Sequence, residues 1–368
     1  MKRPNIALAQ PVFLGNEKKY VNECLDTGWI SSVGQFVTLF EAAWAEYLGT
    51  PHVAACVNGT VALHAALLAA GIGPGDEVLV PTLTYVASAN AVTYCGAKPV
   101  FVDADEATMN LDPADMERRI TARTKAVMPV HLYGQPCEMD AIDAVARKHG
   151  LIVVEDAAEA HGALYRGRRA GTLGDIATFS FFGNKTITTG EGGMIASRNG
   201  EWIARARLLR GQGMDPQRRY WFPIVGYNYR MTNIQAAIGL AQTEQLEEHL
   251  RRRRQVAEWY DRYLADAEGV IRPREAEGTT SSHWLYVVRL AGADAARRDA
   301  VMAQLAGEGI ETRPVFYPMH VLPPYFEPDG DYPVADRLAA EGICLPTHAA
   351  LTEEDVHRVA ESLRKAVA

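Results

Sequence analysis

The feature that most constrains the fold is an alternation of short apolar segments with helical segments over the first two thirds of the chain. The apolar segments are hydrophobic at almost every position, as in EVLVP (77–81), KPVFVD (98–103) and LIVVED (151–156). Helical stretches such as GTVALHAALLAAGI (59–72) separate them. Strands that are apolar on both faces, with helices between them, indicate a parallel sheet that is covered by helices on both sides.

The remainder of the chain has a different pattern. ATFSFF (177–182) and GMIAS (193–197) follow each other without an obvious helix, so they could lie antiparallel at part of the sheet. From Thr232 a long, mostly helical stretch leaves the sheet region, and shorter strand and helix segments follow it. The sequence predicts an α/β protein. A large domain (residues 1–250) holds a mostly parallel, seven-stranded-type sheet between helices, and a smaller C-terminal α+β domain spans residues 251–368. The boundary is expected within the helix around residues 240–265.

Charge and composition exclude several functional classes. Lys and Arg number 37 against 45 Asp and Glu, a net charge of −8, which argues against a nucleic-acid or anionic-membrane binder. The arginine run 251–254 is interpreted as a solvated helix face. No apolar run is long enough to span a bilayer, and the first residues predict no secretory leader. Five widely spaced cysteines predict reduced thiols in a cytoplasmic protein, and the ten histidines lack ligand spacing, so no metal site is expected.

The first candidate site is the start of a helix. Gly59 and Thr60 open the Ala-rich helical segment directly after the apolar run HVAACV. The first turn of a helix presents unpaired backbone N–H groups and a partial positive charge, which favour a phosphate. Thr60 could equally be a simple N-cap, and the two interpretations carry similar weight.

Two later segments supply an acid and an amine. Asp156 ends LIVVED and Glu159 follows three residues later, at the strand end where open parallel sheets bind ligands; the alternative is an aspartate that caps the next helix. Ser180 ends a strand, and Lys185 follows in FSFFGNKTITTGEGGM among phenylalanines and glycines. Loss of water there would favour the neutral amine that attacks carbonyls, whereas the alternative is a surface lysine in a turn.

Together these residues match the requirements of pyridoxal 5′-phosphate (PLP). That cofactor needs a phosphate cradle, a flat surface for its ring, an anion for its protonated pyridine nitrogen and an amine for its aldehyde. Tyr85, in VPTLTY after a strand, supplies the flat surface, and the segments above supply the other groups. The sequence therefore predicts a PLP site.

At these segments the chain resembles the sugar aminotransferases of the DegT/StrS type, which are fold-type I PLP enzymes. The resemblance covers nearly the whole chain and is carried by NGTVALHAAL, VPTLTYVASANAV, VVEDAAEAHGA, FSFFGNKTITTGEGGM and GYNYRMTNIQAAIGLAQ. It implies that Lys185 forms the Schiff base with PLP, that Asp156 contacts the pyridine nitrogen and that Tyr85 lies against the ring. It also implies that Glu159 approaches the ring hydroxyl. The phosphate contacts that it implies are Gly59, Thr60, Ser180 and, from a neighbouring subunit, Asn228.

Within the family, SFFGNKTITTGEGG and RPVFYPMH resemble most the members that move an amino group from L-glutamate to C4 of GDP-4-keto-6-deoxy-D-mannose for O-antigen synthesis. The resemblance implies a nucleotide-linked keto-sugar and L-glutamate as partners, PLP and its aminated form PMP as cofactors, and a homodimer with shared active sites. The substrate-binding residues expected on this basis are Trp29, Ser32, Arg219, Tyr220, Arg313 and His320.

Two departures and three alternatives accompany this interpretation. Many relatives carry Gln at the position of Glu159, and many carry Pro-x-Lys-Asn in place of Gly183-Asn184-Lys185-Thr186. The alternatives are an aminotransferase for a UDP- or dTDP-linked keto-sugar, at C4 or C3, a PLP-dependent sugar dehydratase, and a catalytically silent binding protein of the same fold. Lys185 counts against the dehydratase, because such relatives carry histidine at that position.

Overall fold

The computed structural model describes residues 5–368; residues 1–4, at the start where no secretory leader is predicted, lie outside the described residues. The helices are α1 (Glu17–Thr27), α2 (Gln35–Leu48), α3 (Gly59–Ala69), α4 (Ala87–Tyr94), α5 (Pro113–Arg118), α6 (Met139–His149), α7 (Gly200–Arg210), α8 (Asn233–Glu244), α9 (Leu246–Tyr263), α10 (Ala295–Gly307), α11 (Pro333–Glu341) and α12 (Glu353–Val367). The strands are β1 (His52–Cys56), β2 (Glu77–Pro81), β3 (Lys98–Val102), β4 (Thr124–Val127), β5 (Ile152–Asp156), β6 (Leu164–Tyr165), β7 (Arg168–Arg169), β8 (Ile176–Ser180), β9 (Gly193–Ser197), β10 (Val270–Ile271), β11 (Thr279–Thr280), β12 (Tyr286–Leu290), β13 (Arg313–Pro314) and β14 (Gly342–Leu345).

The large sheet has seven strands in the order β1-β9-β8-β5-β4-β2-β3. β9 pairs antiparallel with both of its neighbours, while β8, β5, β4, β2 and β3 pair in parallel. The predicted mostly parallel sheet is confirmed, including the antiparallel pairing of ATFSFF with GMIAS. Because six strands run in one direction, their carboxyl ends meet at one edge, and this edge carries Asp156 at the end of β5 and Ser180 at the end of β8.

The start of α3 is pressed against the same edge. A Cβ atom on Gly59 would lie 2.7 Å from Cβ of Ser180, and one on Gly193 would lie 2.3 Å from the backbone oxygen of Asn58. Glycine is therefore required at both positions by close packing of the α3 start on β8 and β9. The side chain of Asn58 accepts a hydrogen bond from the backbone N–H of Val61 at 3.0 Å, so Asn58 caps this helix and Thr60 does not.

The C-terminal region builds a second sheet in the order β10-β12-β14-β13, all antiparallel, beside α10, α11 and α12. The long helical stretch that the sequence predicts is two helices, α8 and α9, which meet at Gln245. The predicted division at residue 250 falls inside α9. Leu250 of this helix packs in the large-sheet core and Val256 in the small-sheet core. Near the N-terminus, Ile6 bridges to Ile310 and joins the small-sheet core.

The interpretation of residues 251–254 as a solvated face is wrong for Arg253, whose side chain points into the junction between the two sheets and is 2% exposed. All five cysteines are buried and unpaired. Burial raises the pKa of the Cys56, Cys95 and Cys344 thiols to about 12. Within residues 5–368, no helix is long and apolar enough to cross a membrane, and no cluster of three or more His, Cys, Asp or Glu side chains could hold a metal ion.

Candidate active site

A cleft of about 340 Å³ opens at the carboxyl edge of the large sheet, against residues of the smaller sheet region. It brings together side chains from strand ends, the α3 start and the loop after β8. Eight of the fourteen predicted site residues line it: Gly59, Thr60, Tyr85, Asp156, Glu159, Ser180, Lys185 and Arg313.

Asp156 is a buried carboxylate that faces this cleft. Its Oδ2 accepts a hydrogen bond from the Ser88 hydroxyl at 2.8 Å, and its Oδ1 accepts one from the backbone N–H of Ala158 at 3.1 Å. Burial raises the pKa of Asp156, and these two hydrogen bonds oppose that shift. None of the ion pairs within residues 5–368 involves Asp156. An almost fully buried carboxylate without a cationic partner is suited to a positively charged group in the cleft.

Lys185 lies in the loop after β8 and lines the same cleft, and its side chain is only 12% exposed. Its Nζ donates to Oε1 of Glu159 at 3.3 Å, while Oε2 of Glu159 accepts the backbone N–H of Tyr133 at 2.7 Å. Burial raises the pKa of Glu159, and the nearby Lys185 opposes that shift. The low exposure of Lys185 excludes its interpretation as a surface lysine. The Glu159 carboxylate lies beside the amine, so burial is not the only influence on it.

The end of the cleft nearest α3 is rich in donors. The first turn of α3 contributes the backbone N–H groups of Gly59 and Thr60, and the Ser180 hydroxyl lies against the same turn. Since Asn58 caps the helix, the Thr60 hydroxyl is not used as a cap. This combination of backbone and hydroxyl donors at a helix N-terminus is typical of a phosphate site.

Aromatic rings from both sheet regions form one wall of the cleft, Tyr85 from the large-sheet region and Trp284 and Phe316 from the smaller one. The Tyr85 ring lies 5.6 Å from Phe316, Phe316 stacks on Tyr133 at 5.4 Å, and Tyr133 stacks on Trp284 at 6.0 Å. Tyr85 is 56% exposed, so one ring face is open to the cleft. The cleft therefore combines a flat apolar wall with charged groups, as a heteroaromatic ligand requires.

One residue predicted to bind substrate, His320, lies outside the cleft. Its Nδ1 is 2.8 Å from the Thr82 hydroxyl and its Nε2 is 3.1 Å from Asp336. Its ring also stacks on Tyr332 at 4.4 Å. His320 therefore fastens the segment after β13 to the end of β2, and both of its ring nitrogens are occupied by protein groups.

The remaining five predicted residues lie outside this cleft within one chain. Trp29, Arg219, Tyr220 and Asn228 are exposed, and Ser32 is half-buried. Arg219 and Tyr220 belong to a surface loop, residues 214–225, which Gly213 and Gly226 close at its base by direct backbone contact. Apolar residues elsewhere in the loop are also exposed, Val225 by 88%. Exposed apolar residues that cluster in this way are typical of a surface that contacts another molecule.

Ser88 and Trp284 line the cleft but were not predicted as site residues from the sequence. Ser88 lies in VPTLTYVASANAV, but nothing in that segment distinguishes a serine that binds Asp156 from one that faces solvent. Trp284 lies 100 residues from the Asn184 carbonyl that it binds. No local pattern could have predicted a contact over that separation.

One family profile and three known proteins are similar to this chain. The profile of the DegT/DnrJ/EryC1/StrS aminotransferase family matches residues 14–364. The chain is 59% identical over 362 residues to a GDP-perosamine synthase of Caulobacter vibrioides, with 98% of both chains covered. Among solved structures, it is similar to the aminotransferase TlmJ of Streptoalloteichus hindustanus, with a TM-score of 0.93, 36% identity and 98% of both chains covered. It is also similar to the PLP form of Spr1654 of Streptococcus pneumoniae, with a TM-score of 0.94, 30% identity, and 99% and 98% coverage. This chain belongs to the DegT/DnrJ/EryC1/StrS aminotransferase family.

Proposed function

We propose that this protein is a PLP-dependent nucleotide-sugar aminotransferase. It transfers an amino group from L-glutamate to C4 of GDP-4-keto-6-deoxy-D-mannose and forms GDP-perosamine for surface polysaccharide synthesis. The observation that carries the chemistry is the buried Asp156 carboxylate, which forms no ion pair within residues 5–368 and lines the same cleft as the Lys185 amine. The GDP-linked substrate is supported by the 59% identity to the Caulobacter GDP-perosamine synthase. The buried thiols fit a cytoplasmic location.

The residues of the cleft fit PLP part by part. The donors at the α3 start and the Ser180 hydroxyl would hold its phosphate, and Tyr85 would lie against its ring. Glu159 would approach the ring hydroxyl, and Asp156 would pair with the pyridine nitrogen. When bound, PLP supplies an electron sink for the carbon that loses or gains a proton.

The chain's own residues would each have a separate role in this reaction. Asp156, oriented by Ser88 and Ala158, would keep the pyridine nitrogen of the cofactor protonated. Lys185 would hold the cofactor covalently at rest, and its Nζ, once free, would carry a proton from one carbon to another as general base and general acid. The aromatic wall would shield one side of this proton transfer from water.

We further propose that two copies of this chain complete each other's sites. Asn228 is exposed, so it is available to reach the phosphate in a partner. In the same arrangement Arg219 and Tyr220 of the 214–225 loop, with Trp29 and Ser32, would cover the nucleotide sugar. Arg313 already lines the cleft and would add a cation to the same substrate.

A product assay tests the proposed reaction. L-glutamate and PLP are incubated with GDP-, UDP- and dTDP-linked 4-keto-6-deoxy sugars, and products are identified by mass and NMR. The expected product is the GDP sugar aminated at C4, and a Lys185→Ala variant should form none. Amination only in the UDP or dTDP arm, amination at C3, or a dehydrated product would overturn the proposal.

The shared site has its own test. Lys185→Ala and Asn228→Ala subunits are each expected to be inactive, and random mixing should restore about a quarter of the wild-type activity, because half of the dimers contain one intact site. If mixing restores nothing although the subunits exchange, Asn228 does not act in a partner.

Arg219 is tested by the separation of the two Michaelis constants. Arg219→Ala should raise the KM for the nucleotide sugar about tenfold and leave that for L-glutamate nearly unchanged, since a charge-assisted contact to substrate is lost. Arg205→Ala, an exposed arginine on α7, is the control. Equal effects on both constants would indicate a fold defect instead.

A further inference from the structure

The Lys185 amine has a second neighbour, which comes from the other sheet region. Its Nζ lies 3.9 Å from the centre of the Trp284 ring, and Trp284 is 4% exposed. On another side Nζ meets the Glu159 carboxylate at 3.3 Å. A cation held against an aromatic face in a site of low exposure is stabilised relative to the neutral amine.

The Trp284 ring is itself held rigidly. Its Nε1–H donates to the backbone oxygen of Asn184, the residue before the lysine, at 2.8 Å. Its backbone oxygen accepts from Arg253 at 3.0 Å, and its ring is nearly parallel to Tyr133, at an interplanar angle of 12°. Tyr133 also donates its backbone N–H to Glu159. The ring and the carboxylate that flank the amine are thus joined through one residue.

We propose that Trp284 is a positioning residue for Lys185: the face of its ring stabilises the ammonium form, which the amine takes when it accepts a proton. The role for catalysis rests on the proposed function, in which a released Lys185 must accept a proton at one place in the cleft. The effect on the amine is a property of the chain and can be measured without cofactor or sugar.

The test is the rate at which cyanate carbamylates Lys185 in the full-length protein stripped of cofactor. Cyanate is small and reacts with neutral amines, and peptide mass spectrometry reports each lysine separately, with the exposed Lys125 as internal reference. Near neutral pH, Trp284→Met should raise the Lys185 rate about three- to tenfold relative to Lys125, the range expected for loss of a cation–π contact. Trp284→Phe keeps a ring face and should stay within about twofold of wild type.

The pH dependence of the carbamylation rate distinguishes a change in the charge of Lys185 from a change in the access of cyanate to it. The ionisable groups that line the cleft or interact with Lys185 are Tyr85, Asp156, Glu159, His161, Glu191, Arg253 and Arg313, and all are unchanged in these variants. If the ring stabilises the ammonium form, the ratio of the Met variant to wild type falls toward one as the pH rises and both amines become neutral. A ratio that stays constant with pH would mean that only access changed, and it would overturn the proposal.

Two further measurements provide a control variant and an alternative to Trp284→Met. Trp202→Leu removes a half-buried tryptophan from α7 in the large domain and should leave the Lys185 rate unchanged. If Trp284→Met does not fold, fluorinated tryptophan can be incorporated at all six tryptophans, which weakens the negative ring face at constant shape. Fluorinated tryptophan should therefore raise the carbamylation rate of Lys185, as Trp284→Met does. No change with either probe, or equal rates for Met and Phe variants, would refute a role of the ring.

Discussion

Arg253 offers a sharp test of how the two sheet regions are joined. Its guanidinium donates to the backbone oxygens of Trp284 at 3.0 Å and Thr347 at 2.9 Å, and more weakly to that of Lys185 at 3.5 Å. None of the ion pairs of the described residues includes Arg253, and burial lowers its pKa to about 10. The chain thus buries a cation whose charge is shared among three carbonyl groups.

The expected effect of Arg253→Met follows from these contacts. Three carbonyls lose a charged donor, and each buried carbonyl left without a partner costs about 1–3 kcal/mol. Removal of an unpaired buried cation returns part of that sum, so we expect a net loss of about 3–4 kcal/mol. For 368 residues the unfolding entropy near the midpoint is about 0.8 kcal/mol/K, which converts the loss to a fall in Tm of about 4–5 K.

The assay is thermal unfolding at fixed protein and cofactor concentrations, since ligand binding and association also shift Tm. Arg251→Met is the matched control: Arg251 lies on the same helix, its side chain is 63% exposed and it pairs with Glu248. That variant should move Tm by less than about 1 K, because exposed ion pairs contribute little. If Arg253→Met is as stable as the control, the carbonyl contacts do not hold the two regions together.

Three further predictions concern the carboxylates and histidines. Asp156→Ala should abolish activity and weaken PLP binding at least about a hundredfold, measured by absorbance titration, because a buried ion pair is lost; a near-normal rate and spectrum would reject its role. Glu159→Gln should keep the fold but raise the Lys185 carbamylation rate, since a negative charge beside the amine is removed; an unchanged rate would contradict this. Burial lowers the pKa of His161 to about 3 and that of His249 and His348 to about 4, so they are neutral in the folded protein and bind protons near pH 6.5 once unfolded. The stabilisation from these neutral histidines is present above pH 6.5 and is lost as the pH falls toward 4, by up to about 1.4 kcal/mol per pH unit for each histidine. The raised pKa of Asp156 and of Glu159 opposes this loss in part, because these carboxyl groups bind protons more readily in the folded protein. Urea unfolding at pH 7 and pH 5 measures this loss, and His249→Gln should reduce it; a stability independent of pH would refute the assignment.

The sequence predicted the positions of those site residues that lie at the end of a strand or at the start of a helix. Asp156 and Ser180 end strands and Gly59 begins a helix, so the rule for parallel sheets brings all three to one edge without knowledge of side-chain contacts. Lys185 follows the same edge by five residues. These residues could be placed because each is defined by its own element.

Residues whose role depends on contacts between distant segments could not be predicted. Arg253 lies in a run of four arginines that reads as a solvated face, yet only the junction between the sheets decides that it is buried. His320 was expected in the cleft from its segment, but Thr82 and Asp336 occupy both ring nitrogens. Trp284 gave no signal, because its partners lie in the loop after β8.

The burial of all five thiols has a practical consequence for labelling. With Cys24, Cys56, Cys95, Cys137 and Cys344 enclosed in the protein, maleimide dyes should leave the native fold unmodified. A cysteine introduced at Val225, which is 88% exposed, would then take up a single fluorophore without prior removal of any native sulfur. Energy transfer between two such dyes would report directly on the distance between loop tips of associated chains.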